Sequence, residues 1–314
     1  MHPISVDGNH PIDSEKESTM SEFIISCCST ADLSARHFSD RNILYVPFHY
    51  SLNDVTYPDD LGQSMSSADF YQAMRDGADT KTSQVNKEEY LAFFEPILSS
   101  GKDILHVAFS SGLSGSCDSA RMAQKTLMKK YPDRKLLIVD SLAASSGFGL
   151  MMDTLCDKRD EGLSIDELAA WLEEVKLQLH HWFFSSDLTF FVKGGRVSKT
   201  SGFFGTMLHI CPLLNVSHEG KLVPREKIRT KKKAISRIVE VMEQHARDGV
   251  HYSGKCYISH SDCYDDAKAV ADLIETKFPR LNGKVLINNI GTTIGSHTGP
   301  GTVALFFWGD ERKD

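Results

Sequence analysis

Apolar and polar residues alternate in blocks along the first half of the chain. Short runs rich in Ile, Val, Phe and Tyr occur at 22–29 (EFIISCCS) and 42–52 (NILYVPFHYSL), and both predict strands. The polar stretch between them, TADLSARHFSDR, has the length of a short helix. Helices are predicted over 66–77 and 86–99, the second with Tyr90, Phe93 and Phe94 at helical spacing. DILHVAF (103–109) predicts a buried strand, followed by a helix over about 115–130. KLLIVD (135–140) predicts another strand, and AASSGFGLMMDTLCDK another helix. Strands that alternate with helices imply a parallel sheet with crossover connections.

After a helix predicted over 164–180 the texture changes. LTFFV (188–192), LLNVS (213–217), KLVPREKI (221–228), CYISHS (256–261), KVLINNI (284–290) and TVALFFW (302–308) are strand candidates. HEG between the second and third suits a hairpin loop. Helices are predicted near 199–210, 231–246 and 264–278. The expected fold class is α/β in two domains: a Rossmann-like parallel-sheet domain over 21–165, then an α/β domain with a mixed or antiparallel sheet over 166–314.

Composition narrows the function classes. The 314 residues suffice for two domains of ordinary size, and 41% hydrophobic with 25% charged residues fits a globular protein. No window approaches ~18 uninterrupted apolar residues, so a membrane-spanning segment is not expected. A formal charge of −7 argues against indiscriminate nucleic-acid binding. The seven cysteines lack any CxxC pair or zinc-ligand rhythm, which points to a reduced, cytoplasmic protein without a metal. Residues 1–20 are polar and lack the apolar core of a secretory signal; they read as a flexible extension or leader, with Met20 as a second possible start.

Candidate chemistry gathers in loops. KTSQ (81–84), SSGLSGS (110–116) and DSLAASSG (140–147) are rich in hydroxyls and precede helices. At the carboxyl ends of parallel strands, helix N-termini offer free amides to an anion. Helix capping by Ser and Thr explains such loops equally well, although the glycines of SSGLSGS exceed what a cap requires. GLSGS has the wrong spacing for a G-x-S-x-G nucleophile turn. GVHYSGKC (249–256) nearly matches a P-loop but ends in Cys256 and lies before a strand instead of after one. No dinucleotide fingerprint and no HExxH occurs. IGTTIGSHTGPG (290–301) sets His297 among glycines, where it serves as a structural imidazole or as a donor to a carboxylate. Phe203, Phe204, Met207 and Leu208 have the spacing of core residues and would equally wall an apolar tunnel. REKIRTKKKAIS (225–236) brings six cations to a helix start, against the macrodipole; a solvated face and an anionic partner both account for it.

Taken together, STADL (29–33), TSQ (82–84), SSGLSG (110–115), VDS (139–141), KGGRVSK (193–199), IRTKKKA (228–234) and GSHTGPG (295–301) occur in the order found in the DegV family, and the resemblance spans about residues 21–309. That family comprises bacterial fatty-acid-binding proteins, some of which serve a fatty acid kinase. The resemblance implies a long-chain fatty acid threaded between the two domains, no other cofactor, and a protein that performs no chemistry alone. It implies that Thr82, Ser114 and His297 bind the carboxylate, with Ser83, Ser110, Ser111 and Gly115 as supporting loop. It associates Arg196 and Arg229 with the kinase encounter. Cys28 stands where the family usually has aspartate, so no role carries over there. The competing class is a hydrolase or acyl transferase using a serine near His297 with Asp140 in support.

Overall fold

The computed structural model describes residues 23–198 and 210–313. The elements run β1 (Phe23–Cys28), α1 (Ala35–Asp40), β2 (Ile43–Val46), β3 (His49–Leu52), β4 (Val55–Pro58), α2 (Ser67–Arg75), β5 (Thr80–Ser83), α3 (Lys87–Ser99), β6 (Asp103–Ala108), α4 (Ser116–Lys130), β7 (Leu136–Asp140) and α5 (Ser145–Asp160). They continue with α6 (Ile165–Val175), β8 (Leu179–Ser185), α7 (Thr189–Lys193), β9 (Leu213–Val216), β10 (Leu222–Glu226), α8 (Lys231–His245), β11 (Tyr257–His260), α9 (Tyr264–Lys277), β12 (Leu286–Asn289), α10 (Thr292–Thr298) and β13 (Thr302–Trp308).

The α/β class holds. A parallel sheet has the order β2-β1-β6-β7, as the strand–helix alternation implies. A mixed sheet has the order β10-β9-β8-β13-β11-β12. Its β9–β10 hairpin turns through the predicted HEG, where Ser217 N–H donates to the Lys221 carbonyl at 2.8 Å and Gly220 takes φ +73°. Such a φ suits glycine.

Three expectations need correction. The run 42–52 is two strands, because Pro47 has no N–H to continue the ladder. The second, β3, turns away into a separate antiparallel sheet, β4-β3-β5. LTFFV is not a strand: Asp187 accepts the Thr189 N–H at 2.8 Å and starts α7. The strand of this region is β8, read from sequence as the end of a helix over 164–180. All seven of its residues are buried, so it shows no alternation, and its two histidines mask an apolar run. The helix predicted near 199–210 lies almost wholly outside the described residues.

Helix α5 joins the two larger sheets. It leaves β7 of the parallel sheet and packs on the mixed sheet so closely that a Cβ on Gly147 would come within 2.5 Å of His181 and Phe306. Buried Asp153 of α5 reinforces the junction by pairing with Arg41 at 3.0 Å, His37 at 3.2 Å and Lys255, and by accepting from Tyr257 at 2.9 Å.

Candidate functional site

Beside this junction lies a cavity of about 390 Å³. Its wall is apolar, drawn from Phe48, Phe109, Phe183, Phe191, Val216, Leu222, Ile290, Ile294, Ala304 and Phe306. Thr302, Ala304 and Phe306 recur at the strand period of two and put one face of β13 on the cavity.

Several polar side chains of the cavity lie on one circuit made of hydrogen bonds, close packing and chain neighbours. Thr82 Oγ1, on β5, lies 2.7 Å from His297 Nε2, on α10. His297 rests against the bare Cα of Gly194, where a Cβ would collide with Nδ1. Arg196 donates to the Gly194 carbonyl at 2.5 Å and to the Leu113 carbonyl at 3.1 Å. Next to Leu113, the Ser114 hydroxyl donates to Gln84 Oε1 at 3.3 Å, and Gln84 leads back to Thr82. Thr82, Ser83, Gln84, Ser114, Arg196 and His297 all line the cavity.

Electrostatics follow from partial burial. Burial, then the Arg196 charge, pushes His297 down to about 4, so its imidazole is neutral at pH 7. Burial also lowers Arg196 from its ordinary value, yet a guanidinium remains charged. The circuit therefore sets one fixed positive charge, two hydroxyls and a neutral imidazole on the cavity, a set suited to one small anionic head group once the hydroxyl protons turn from Gln84 and His297 to it. Ser114 also accepts the Ser116 N–H at 3.2 Å, so capping of α4 and donation toward the cavity use different parts of one hydroxyl.

Other residues named from sequence lie elsewhere. Ser110 is buried and bridges loops, donating to the Gly220 carbonyl at 2.8 Å and accepting the Gly112 N–H at 3.2 Å. Ser111 is exposed, and its N–H reaches Asp140 at 3.2 Å. Gly115 precedes α4 and lacks the Cβ that would press on Gln84 at 2.9 Å. Arg196, which the resemblance associates with Arg229 and the kinase encounter, lines the cavity, where two backbone carbonyls hold its guanidinium. Arg229 lines a separate open cleft of about 710 Å³ with Lys232 and Lys233. Phe203, Phe204, Met207 and Leu208 lie outside the described residues. Gln84 and Gly194 were missed as site residues, although both sit inside recognised motifs.

Asp140, the carboxylate a hydrolase would need near His297, accepts the N–H groups of Ser111 and Leu142 at 3.2 and 3.1 Å. Lys255 of the near P-loop binds Asp157 at 2.6 Å as well as Asp153. Cys28 contacts the Tyr90 hydroxyl at 3.3 Å, and burial pushes its thiol up to about 11, so it does not replace the charge of an aspartate. Among the described residues, the one group of three with metal-ligand spacing is His180, His245 and Asp310. It does not line the cavity. There Trp182 N–H donates to His180 Nδ1 at 3.4 Å, which leaves the proton on Nε2, facing Asp310 at 2.8 Å, where a metal would need a lone pair.

Comparison with known proteins gives the chain a family and its fold a set of solved relatives. A family model described as "Uncharacterised protein, DegV family" matches residues 25–310. A DegV domain-containing protein of Clostridium perfringens is 36% identical over 294 residues, covering 94% of this chain and 100% of the relative. A DegV lipid binding protein from Thermotoga maritima superposes with a TM-score of 0.80 at 27% identity, covering 94% of this chain and 100% of that one. A DegV family protein from Thermus thermophilus, described for its fatty acid binding, superposes with a TM-score of 0.81 at 26% identity, covering 92% and 99%.

Proposed function

The chain belongs to the DegV family, and from that premise we propose that it binds a long-chain fatty acid in the cavity and presents the carboxylate to a fatty acid kinase. One observation carries the proposal: an apolar cavity whose lining gathers Thr82, Ser114, Arg196 and His297. The solved relatives described as binding lipid or fatty acid support it.

The free energies divide the work. Burying an acyl chain gains ~0.8 kcal/mol per methylene, so about 14 methylenes contribute roughly 11 kcal/mol before ordering costs. Hydrogen bonds to a carboxylate add only about 1.5–3 kcal/mol each. The chain supplies affinity, and the head-group circuit fixes orientation.

The kinase step belongs to the partner. This chain's part is to hold the carboxylate beside Arg196 while the exposed cations Arg229, Lys232 and Lys233 meet an acidic surface of the kinase or its phosphates. Among the described residues no helix is long and apolar enough to cross a membrane. All seven cysteines are free thiols, which supports a cytoplasmic setting.

The test is denaturing extraction of purified protein followed by mass spectrometry, then incubation with the kinase and ATP. A released free fatty acid that becomes an acyl phosphate supports the proposal. An acyl group bonded to the protein, or a cavity that takes up no lipid, overturns it.

A further inference from the structure

Two buried carboxyl groups stand behind α10, outside the head-group circuit. Asp32 follows β1 and Asp59 follows β4, and they are only 5% and 3% exposed. Both face the first turn of the helix that carries His297. Asp32 Oδ1 accepts the Gly291 N–H at 3.0 Å, and Asp59 lies beside Thr292 and Thr293. Gly291 fits between them because it has no side chain: a Cβ would sit 2.6 Å from Asp32 Oδ1 and 3.6 Å from Asp59 Oδ1.

Asp32 is held from several sides. It takes a left-handed φ of 48°, uncommon for a residue with a side chain, and so does its partner Ser145 at 55°. The Ser145 hydroxyl meets Asp32 Oδ2 at 2.5 Å and Ser259 Oγ at 2.9 Å, while the Ser146 hydroxyl donates to the Asp32 carbonyl at 3.0 Å. Asp59 accepts from the Ser29 hydroxyl at 3.1 Å, and Ser29 Oγ in turn accepts the Phe48 N–H. Ser145, Phe48 and Thr293 all line the cavity. Strain of this kind persists where surrounding contacts over-determine it, and it concentrates at functional sites.

Burial of two carboxyl groups is costly unless hydrogen bonds satisfy them, and a core of apolar residues would avoid the cost. What the pair obtains in return is a fixed helix start. His297 lies one and a half turns further along α10, and its contact with Thr82 depends on where that helix begins. We propose that Asp32 and Asp59 are positioning residues: they anchor the start of α10 so that His297 meets Thr82 and faces a bound carboxylate. The inference rests on the fatty-acid reading of the cavity, but its first test does not.

The first test reads His297 in ligand-free protein. Imidazole nitrogen shifts from ¹⁵N-histidine-labelled protein report the ring's tautomer and its bond to Thr82. Asp32→Ala is expected to move the His297 signals, and Asp32→Asn, which keeps an oxygen for the Gly291 N–H, to restore them. Unchanged His297 signals in folded Asp32→Ala overturn the proposal. If Asp32→Ala does not fold, Asp59→Ala decides by the same signals.

The second test compares a fatty acid with the fatty alcohol of equal length. Loss of a charge-assisted contact is expected to cut the acid-over-alcohol preference about tenfold in Asp32→Ala, leaving alcohol affinity unchanged. In the Asp32→Ala/His297→Ala double variant the preference is expected to equal that of His297→Ala alone, since both changes remove one interaction. Equal loss of acid and alcohol binding marks a merely structural role and overturns the proposal. If wild-type protein binds neither ligand, the fatty-acid reading fails, and the nitrogen shifts still decide whether the pair positions His297.

Discussion

The cavity beside α10 and the cleft beside α8 both gather polar side chains, yet their physics differs. The cavity half-buries Thr82, Arg196 and His297 beside an aromatic wall, so the Thr82–His297 and Arg196 bonds act in a medium that strengthens them. The cleft leaves Arg229, Lys232 and Lys233 exposed, where salt screens them and single pairs contribute about 0–1 kcal/mol. The same thread of sequence logic, polar residues grouped near a helix start, thus ends in an enclosed cavity in one place and on an open surface in the other. Burial decides which.

The strongest way to break the contrast is to fill the cavity. Ala304 is buried on β13 and lines it. Ala304→Trp places an indole where several methylenes would lie, and at ~0.8 kcal/mol per displaced methylene the fatty-acid affinity should fall by about 100-fold or more. The urea midpoint should change little, because the indole occupies space the fold already leaves open. Fatty-acid affinity from titration of delipidated protein and a urea unfolding curve check the two sides of the claim. Full retention of lipid would remove the cavity from the argument.

Acid titration separates buried from exposed groups. Burial lowers His297 and His180 to about 4 and His106 to about 3, below the ordinary 6.5. A histidine depressed on folding binds fewer protons in the native state, so its stabilisation is complete above pH 6.5 and is lost as pH falls toward 4. Asp32 and Asp59 have the opposite sign: burial raises them, so their contribution is complete below about 3.8 and is lost as pH rises through their folded values. The urea midpoint should therefore drop between pH 6.5 and 4, with His297 alone accounting for on the order of 2 kcal/mol. His297→Asn should flatten that slope. Charge removal in the cleft, as in Lys232→Gln, should leave it unchanged.

A smaller change tests the circuit without touching a polar group. Gly194 has φ −74°, which any residue adopts, so Gly194→Ala carries no backbone strain. Its methyl group would displace the His297 ring. The preference for fatty acid over fatty alcohol should fall about tenfold, the scale of one charge-assisted hydrogen bond, while alcohol affinity holds. An unchanged preference would detach His297 from carboxylate recognition.

These sites were unequally legible before the structure. Apolar runs bounded by turn residues located most strands of the parallel sheet, because each run is short and its crossover helix is amphipathic. The strand β8 escaped because both its faces are buried and His180 and His181 interrupt its apolar run. The sheet β4-β3-β5 escaped because β4 and β5 have four residues each, β4 lies mostly at the surface and β5 is polar throughout. From residues alone, Thr82, Ser114 and His297 were only members of hydroxyl-rich or glycine-rich loops. Resemblance joined them, and the fold brings them to one cavity. Asp32 sat inside the STADL motif without a role and nothing local marked Asp59, since aspartates are mostly surface residues and these two become neighbours only through α10. Arg196, which the resemblance grouped with Arg229, lines the cavity, where two backbone carbonyls hold its guanidinium.

The gentlest test falls on the cleft. Arg229 is exposed and lines no part of the cavity, so Arg229→Glu should leave the protein loaded with the same fatty acid. Its effect should appear only in phosphoryl transfer, as a several-fold lower rate at limiting kinase, because charge complementarity acts mainly on encounter. The difference between wild type and variant should shrink as salt rises beyond physiological strength, where the Debye length is ~8 Å. Both quantities come from one experiment, a series of kinase assays across ionic strength on protein whose lipid content has been weighed by mass spectrometry. A variant that emerges folded but empty would move Arg229 to the lipid site. A transfer rate that ignores both charge reversal and salt would leave Arg229, Lys232 and Lys233 as a solvated helix face and confine function to the cavity.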